Sequence, residues 1–370
     1  MKKHIAIIIM TLLTTAAVAQ QASYNLIVGT YTAPGKSEGI YTYRFDPSNG
    51  QTELKHITKG TANPSYLAIS PDRKFIYAVN ETGKSSTVSA FKYDAKTGVL
   101  TFLNKVDSHG ADPCFVTVDG KNVIVANYSG GSLAVFSRKA DGSLTEAIQV
   151  IKHTGKSIDP KGRQESAHVH MTKFSPDHKH LIVNDLGEDQ TYIYNYNAAG
   201  KEKTLTEKTV IKTTPGTGPR HITFAPNGKF AYLAHEFTGM ITVFSYAGGS
   251  LTKIEEVGTT PKNFSGKVDG ADIHVSTDGK FLYETNRGDA NSISTFAILP
   301  TGKLKFIETI STLGNGPRNF TIDPTGKYLL VAHQYTNNVV IFNRNTVTGK
   351  LTNSGQRIDV GAPVCLVFDK

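Results

Sequence analysis

Tryptophan is absent from this 370-residue chain, cysteine occurs only twice, and acidic residues are outnumbered by basic ones, 31 to 40. Two cysteines are too few for a disulfide scaffold. After the apolar stretch that ends at Val18, no run approaches the roughly 20 apolar residues that a spanning helix needs, so a soluble mature chain with no membrane contact is expected. No Gly-x-Ser-x-Gly segment occurs, which argues against a serine-esterase elbow. No His-x-x-x-His pair and no cysteine beside a histidine supplies zinc-ligand spacing, so no metal is expected.

What is present begins with Met1-Lys2-Lys3-His4, an apolar run over residues 5–18, and Ala17-Val18-Ala19 before Gln20. This has the form of a secretory signal peptide over residues 1–19, and it implies a periplasmic or extracellular protein. Without Lys2 and Lys3 the net charge falls from +9 to +7. Cys114 and Cys365 fall on separate repeats one position out of phase, so two free, buried thiols are expected.

The remaining residues, 20–370, repeat one unit. The run Tyr66 to Asn80 returns as Phe115 to Asn127, Met171 to Asp185, His221 to His235, Asp272 to Asn286 and Asn319 to His333. Each copy is a short strand, a turn of the Pro-Asp-Gly-Lys kind and a second apolar strand. A second hairpin follows each, around turns such as Thr97-Gly98, Asp141-Gly142, Gly248-Gly249 and Thr348-Gly349. Four antiparallel strands in about 50 residues make a propeller blade. The chain ends hold the halves of a further unit: Ala362 to Phe368 matches a first strand, and Asn25 to Tyr31 matches a second. The fold expected is therefore all-β, a seven-bladed β-propeller with its last blade closed by the N- and C-terminal strands. The blades lack the Trp-Asp signature of scaffolding propellers.

Function is sought where the repeat breaks. At the start of the first strands stand Ser65, Cys114, His170, Arg220, Ala271, Arg318 and Val364, followed by residues that include His221 and Asp272. At the end of the second strands stand Thr30, Asn80, Asn127, Asp185, His235, Asn286 and His333, followed by Tyr31, Glu81, Tyr128, Leu186, Glu236, Arg287 and Gln334. Antiparallel pairing brings both sets to one channel mouth, where acids, cations and histidines suit polar catalysis. Strand-end Asn and Asp also serve to bond the backbone of a neighbouring blade, and Asn80, Asn127 and Asp185 are open to that reading. Lys74, Lys121, Lys179, Lys229, Lys280 and Lys327 recur at one turn around the rim, which disperses the basic charge and argues against nucleic acid.

His168-Val169-His170, Asp185-Leu186-Gly187, Gly218-Pro219-Arg220-His221, His235-Glu236, Asn286-Arg287-Gly288 and Gly316-Pro317-Arg318 together resemble the seven-bladed propeller lactonases. That family contains one type of bacterial 6-phosphogluconolactonase and the fungal enzyme that cyclises 3-carboxy-muconate. The resemblance implies a cofactor-free lactone hydrolase acting on a small anionic lactone, such as 6-phosphogluconolactone or an unphosphorylated aldonolactone; a monomer is expected, although nothing in the repeat itself signals an oligomeric state. It places the catalytic group on His170, Arg220, Glu236 and Arg287, with His170 or Glu236 as the base. His168, His221, Asp185, His235, Asn286, Arg318 and His333 are the expected substrate-binding set. A non-enzymatic carbohydrate- or protein-binding propeller and a muconate-type cycloisomerase remain as alternatives.

Overall fold

The structure, a computed structural model, describes residues 23–33, 35–159 and 162–370, and the signal peptide expected over residues 1–19 lies outside them. Seven four-stranded antiparallel sheets make up the described fold. In ring order the blades are 1 (residues 24–59 with 363–368), 2 (64–107), 3 (113–152), 4 (169–212), 5 (219–258), 6 (270–311) and 7 (317–359). The first strand of each blade lies innermost, and each inner strand packs on those of the blades beside it, which closes the ring around a central channel.

The local sequence explains the inner hairpins. In blade 2 the Ser70 hydroxyl donates to Asp72 and accepts from the Phe75 amide, while Arg73 takes φ 54° between them. Ser175 with Asp177 and Ser276 with Asp278 repeat the same bonds. The second strands, such as Phe75–Asn80 and Phe281–Asn286, are buried on both faces because each blade stacks on two others.

Outer turns latch neighbouring blades. Gly302 in blade 6 has φ 83°, and the space a side chain would need there is filled by the Phe230 ring of blade 5. The Gly302 carbonyl accepts from Tyr232 at 3.1 Å, and Gly142 and Gly349 receive Tyr77 and Tyr283 in the same way.

Blade 1 closes as the repeat predicts. Its inner strand Pro363–Phe368 pairs antiparallel with Tyr24–Thr30. Asp369 then accepts from the Asn25 backbone and side-chain nitrogens, both at 2.8 Å, and from Tyr93 at 2.6 Å. Both cysteines are unpaired and buried, as their phase difference requires.

Candidate active site

The mouth is built by a repeated irregularity. Where inner strands begin, the pairing slips by a residue: between Val169 and Met171, between Pro219 and His221, and between Pro317 and Asn319. A β-bulge leaves its extra residue outside the ladder and re-aims the side chain. The bulged residues are His170, Arg220 and Arg318. The bulge also sets neighbours on one side, so Arg220 with His221 and Arg318 with Asn319 line the same void in the channel. That void measures about 10 Å³ and has room for about one water, so the channel is closed below the mouth.

Glu236 is the hub. It follows the second strand of blade 5 and is 1% exposed. Its Oε2 lies 2.9 Å from Arg220 Nε, 3.2 Å from Arg287 Nη2 and 3.7 Å from His170 Nε2. Its Oε1 lies 2.5 Å from Arg163 Nη1. Arg287 Nη2 also binds Asp269 Oδ1 at 3.0 Å and the Gly270 carbonyl at 3.2 Å. Among the described residues, Arg220 Nη2, Arg287 Nη1 and the whole Arg318 guanidinium make no hydrogen bond; Arg318 only lies over the Tyr31 ring. Tyr31 in turn donates to Glu81 at 2.7 Å.

Burial would raise the Glu236 carboxyl, but Arg287, Arg220 and Arg163 outweigh it and hold the group well below its ordinary range. Burial, then Arg220 and His221, push His170 well below 6.5, so the imidazole is neutral at pH 7. Arg220 is lowered by burial and by Arg287 to about 10 and stays charged. At pH 7 Glu236 is thus ionised and His170 neutral, so each presents a lone pair at the mouth.

Arg163 was not found from the sequence. It lies on the connection between Lys152 and Val169, the longest between blades, and outside the repeat. Its Nε and Nη2 donate to Tyr128 at 3.0 and 2.7 Å, and its guanidinium covers the Phe237 ring. The adjoining Gln164 is fully buried and pinned to the Leu186 carbonyl and to Asp189. The unusual length of that connection was the one available signal.

Other expected residues sit elsewhere. Asp185 accepts from the backbone amides of His168, Gly187 and Glu188 and binds His153 at 2.7 Å. His235 binds Thr242, Asn286 binds Thr259 and Glu284, and the buried His333 fills the space beside Gly314. Among the described residues none of these four bonds the Glu236 cluster; successive strand residues face opposite sides, and the next residue takes the mouth position. Asn80 and Asn127 likewise bond the carbonyls of Ala62 and Ser108. His168 stacks on Tyr128, with Nδ1 on the Tyr128 carbonyl, and lies behind the rim. His221 is below the mouth with both ring nitrogens engaged.

One trio, His153, Asp185 and Glu188, has metal-like spacing among the described residues. Its groups are already used: His153 bonds Asp185 and Tyr194, and Glu188 bonds the Gly155 amide and Tyr192. The trio braces the connection that carries Arg163. A recess of about 700 Å³ between blades 1 and 2 is lined by His56, Lys59 and Lys105 but by no carboxylate, so volume does not locate the chemistry.

The chain is similar to known proteins over nearly its whole length. Residues 25–368 match the family model described as lactonase, 7-bladed beta-propeller. A 6-phosphogluconolactonase of Bacillus subtilis is 37% identical, with 92% of this chain and 97% of that protein covered. One from Formosa agariphila is 36% identical over 90% and 96%. Among solved structures, one from Bacteroides fragilis superposes with a TM-score of 0.91 at 43% identity, covering 95% of this chain and 99% of that one. The periplasmic gluconolactonase of Pseudomonas aeruginosa gives 0.89 at 36%, covering 94% and 99%. With its ring of seven blades and a match from the first described strand to the last, the chain belongs to the seven-bladed β-propeller lactonase family.

Proposed function

We propose that the mouth opens a sugar-acid lactone with water, with His170 as general base. The observation that carries this reading is the neutral His170 beside a carboxylate that gathers three arginines while leaving Arg220 Nη2 and Arg287 Nη1 without partners. His170 takes a proton from water as the oxygen attacks the lactone carbonyl carbon. The unbonded arginine N–H groups donate to the oxyanion that develops, in a site where most water is excluded. The intermediate then expels the ring oxygen, which recovers the proton from His170, and the product is the open hydroxy acid. Glu236 holds the two guanidiniums in place and balances their charge.

Arg318 is the site's proposed receptor for an anionic group on the substrate, since no protein carboxylate neutralises it by direct contact. Next to its Tyr31 partner lies a recess of about 390 Å³ lined by Tyr31, Lys36, Gln334 and Tyr335, of a size for one sugar acid. Relatives named for the phosphorylated lactone and for gluconolactone make these the first two substrates to assay. The basic and apolar N-terminus, with a periplasmic relative, supports export.

The test is a pH-stat assay of purified protein on a lactone panel, with and without chelator. Ring opening above the buffer rate, unaffected by chelator, is the expected result. A rate no greater than buffer on every lactone refutes the reading.

A further inference from the structure

Below the mouth, the channel holds a polar cluster that the proposed chemistry does not use. Asp272 is 2% exposed and lies at the start of the inner strand of blade 6. Its Oδ1 accepts from His221 Nδ1 at 2.8 Å and from the Ile273 amide at 3.0 Å. Its Oδ2 accepts from His274 Nε2 at 2.9 Å, from Asn319 Nδ2 at 2.5 Å and from the Phe320 amide at 3.3 Å. A carboxylate with so many donors from three blades stays ionised and fixed in orientation. Burial would raise it, yet His274 and His221 keep it well below its ordinary range.

An ionised carboxylate has no proton to give, so the ring nitrogen facing it, Nδ1 of His221, must carry the hydrogen. Burial, then Arg220, lower His221 to about 4, so the ring is neutral at working pH. Nε2 therefore presents a lone pair, and what lies against it is Arg220 Nη1 at 3.3 Å. The same Nη1 donates to the Ala271 carbonyl at 2.6 Å, and Nε donates to Glu236. Arg220 is thereby held on two edges, and the donor left over is Nη2.

We propose that Asp272 and His221 are positioning residues for Arg220: Asp272 fixes the His221 tautomer, and His221 aims the unbonded Nη2 of Arg220 at the reacting carbonyl. This rests on the lactonase reading for its outcome and, for its cause, on the hydrogen bonds that join Asp272, His221 and Arg220. His221 accordingly touches Arg220 and not substrate. The other tautomer would set an N–H against a guanidinium N–H, and Arg220 would turn away from the oxyanion.

The test uses the whole chain. In wild-type protein labelled with ¹⁵N-histidine, His221 should be neutral with its proton on Nδ1 between about pH 6 and 8. A proton on Nε2, or an imidazolium, overturns the proposal. Asp272→Asn should lower kcat about 100-fold, the size of a lost oxyanion donor, with KM within about threefold. Unchanged kcat overturns it, and so does a raised KM at full kcat, which would put His221 on the substrate. His221→Gln, whose amide offers both a donor and an acceptor, should keep kcat within about tenfold of wild type, while His221→Phe should fall as far as Asp272→Asn. Equal losses in the two His221 variants overturn the proposal even if Asp272→Asn fails to fold. A wild-type protein inactive on every lactone refutes the functional reading and leaves the tautomer measurement standing.

Discussion

Replacing Glu236 by Gln keeps the volume of the hub, removes its charge and turns one of its two acceptor oxygens into a donor. Arg220, 2% exposed, would then keep two neutral partners, the Ala271 carbonyl and His221 Nε2. Arg287 retains Asp269, and the half-exposed Arg163 returns to water. Removing one member of a buried pair costs about 3–5 kcal/mol. One of the three arginines is left stranded and Gln still accepts one bond, so the lower end applies, about 3 kcal/mol. With about 2.1 cal/mol/K of unfolding entropy per residue over about 350 folded residues, that is a fall of about 4 °C in melting midpoint. The charge origin fixes the pH dependence. In the fold the Glu236 carboxyl lies below its ordinary 4.5, so its contribution is complete above that pH and is lost as pH falls from there through the folded value. Gln has no such contribution. Calorimetry from about pH 3.5 to 8 should therefore show the gap between wild type and Glu236→Gln at full size near pH 7, narrowing below about pH 4.5. A gap under about 1 °C at pH 7, or one that stays constant to pH 3.5, refutes the reasoning.

His170→Gln should lower kcat/KM by about 10²–10⁴-fold on any lactone the wild type opens; a loss under tenfold would remove His170 as base. Because its pKa lies well below 6.5, the wild-type rate should be flat above that value and fall with acid below it, a limb that the variant lacks. Arg318→Met should cost about ten- to a hundredfold in kcat/KM for 6-phosphogluconolactone and under threefold for gluconolactone; equal losses would mean that Arg318 binds no phosphate. Gly302→Ala should destabilise by about 2–4 kcal/mol in denaturant unfolding, from a positive φ together with a Cβ placed against the Phe230 ring. A loss under about 0.5 kcal/mol would show that the latch yields at little cost.

The blades could be read in the chain because each inner hairpin carries its own turn chemistry, and comparing the chain with itself aligns Ser70, Ser175 and Ser276. The same alignment collected the charged residues and histidines of one mouth, and the resemblance to the propeller lactonases picked out His170, Arg220, Glu236 and Arg287 among them, which the structure gathers within one ion-pair cluster. It could not tell which of two consecutive positions faces the channel. Asp185, His235, Asn286 and His333 looked chemical, but Thr30, Asn80 and Asn127 at the same position bond nearby carbonyls, so a polar side chain there belongs to the repeat. Bulges were equally hidden, since an extra residue at a strand start changes no hydropathy pattern. Arg163 escaped because a comparison of blades cannot see a residue that no other blade has.

Closure of blade 1 also bears on how the molecule comes into being. Asn25 and Asp369 are bonded across 344 positions of sequence, so the first strand made waits for the last. Until residues 363–368 arrive, Leu26, Ile27 and Val28, each 0% exposed in the finished ring, lack their cover and Tyr24–Thr30 is an open edge. Such distant pairing is entropically costly and slow to form. A ring that cannot close before its C-terminus is released stays unlocked for the whole of synthesis. A truncation of only eight residues should therefore leave the protein without its final folding step.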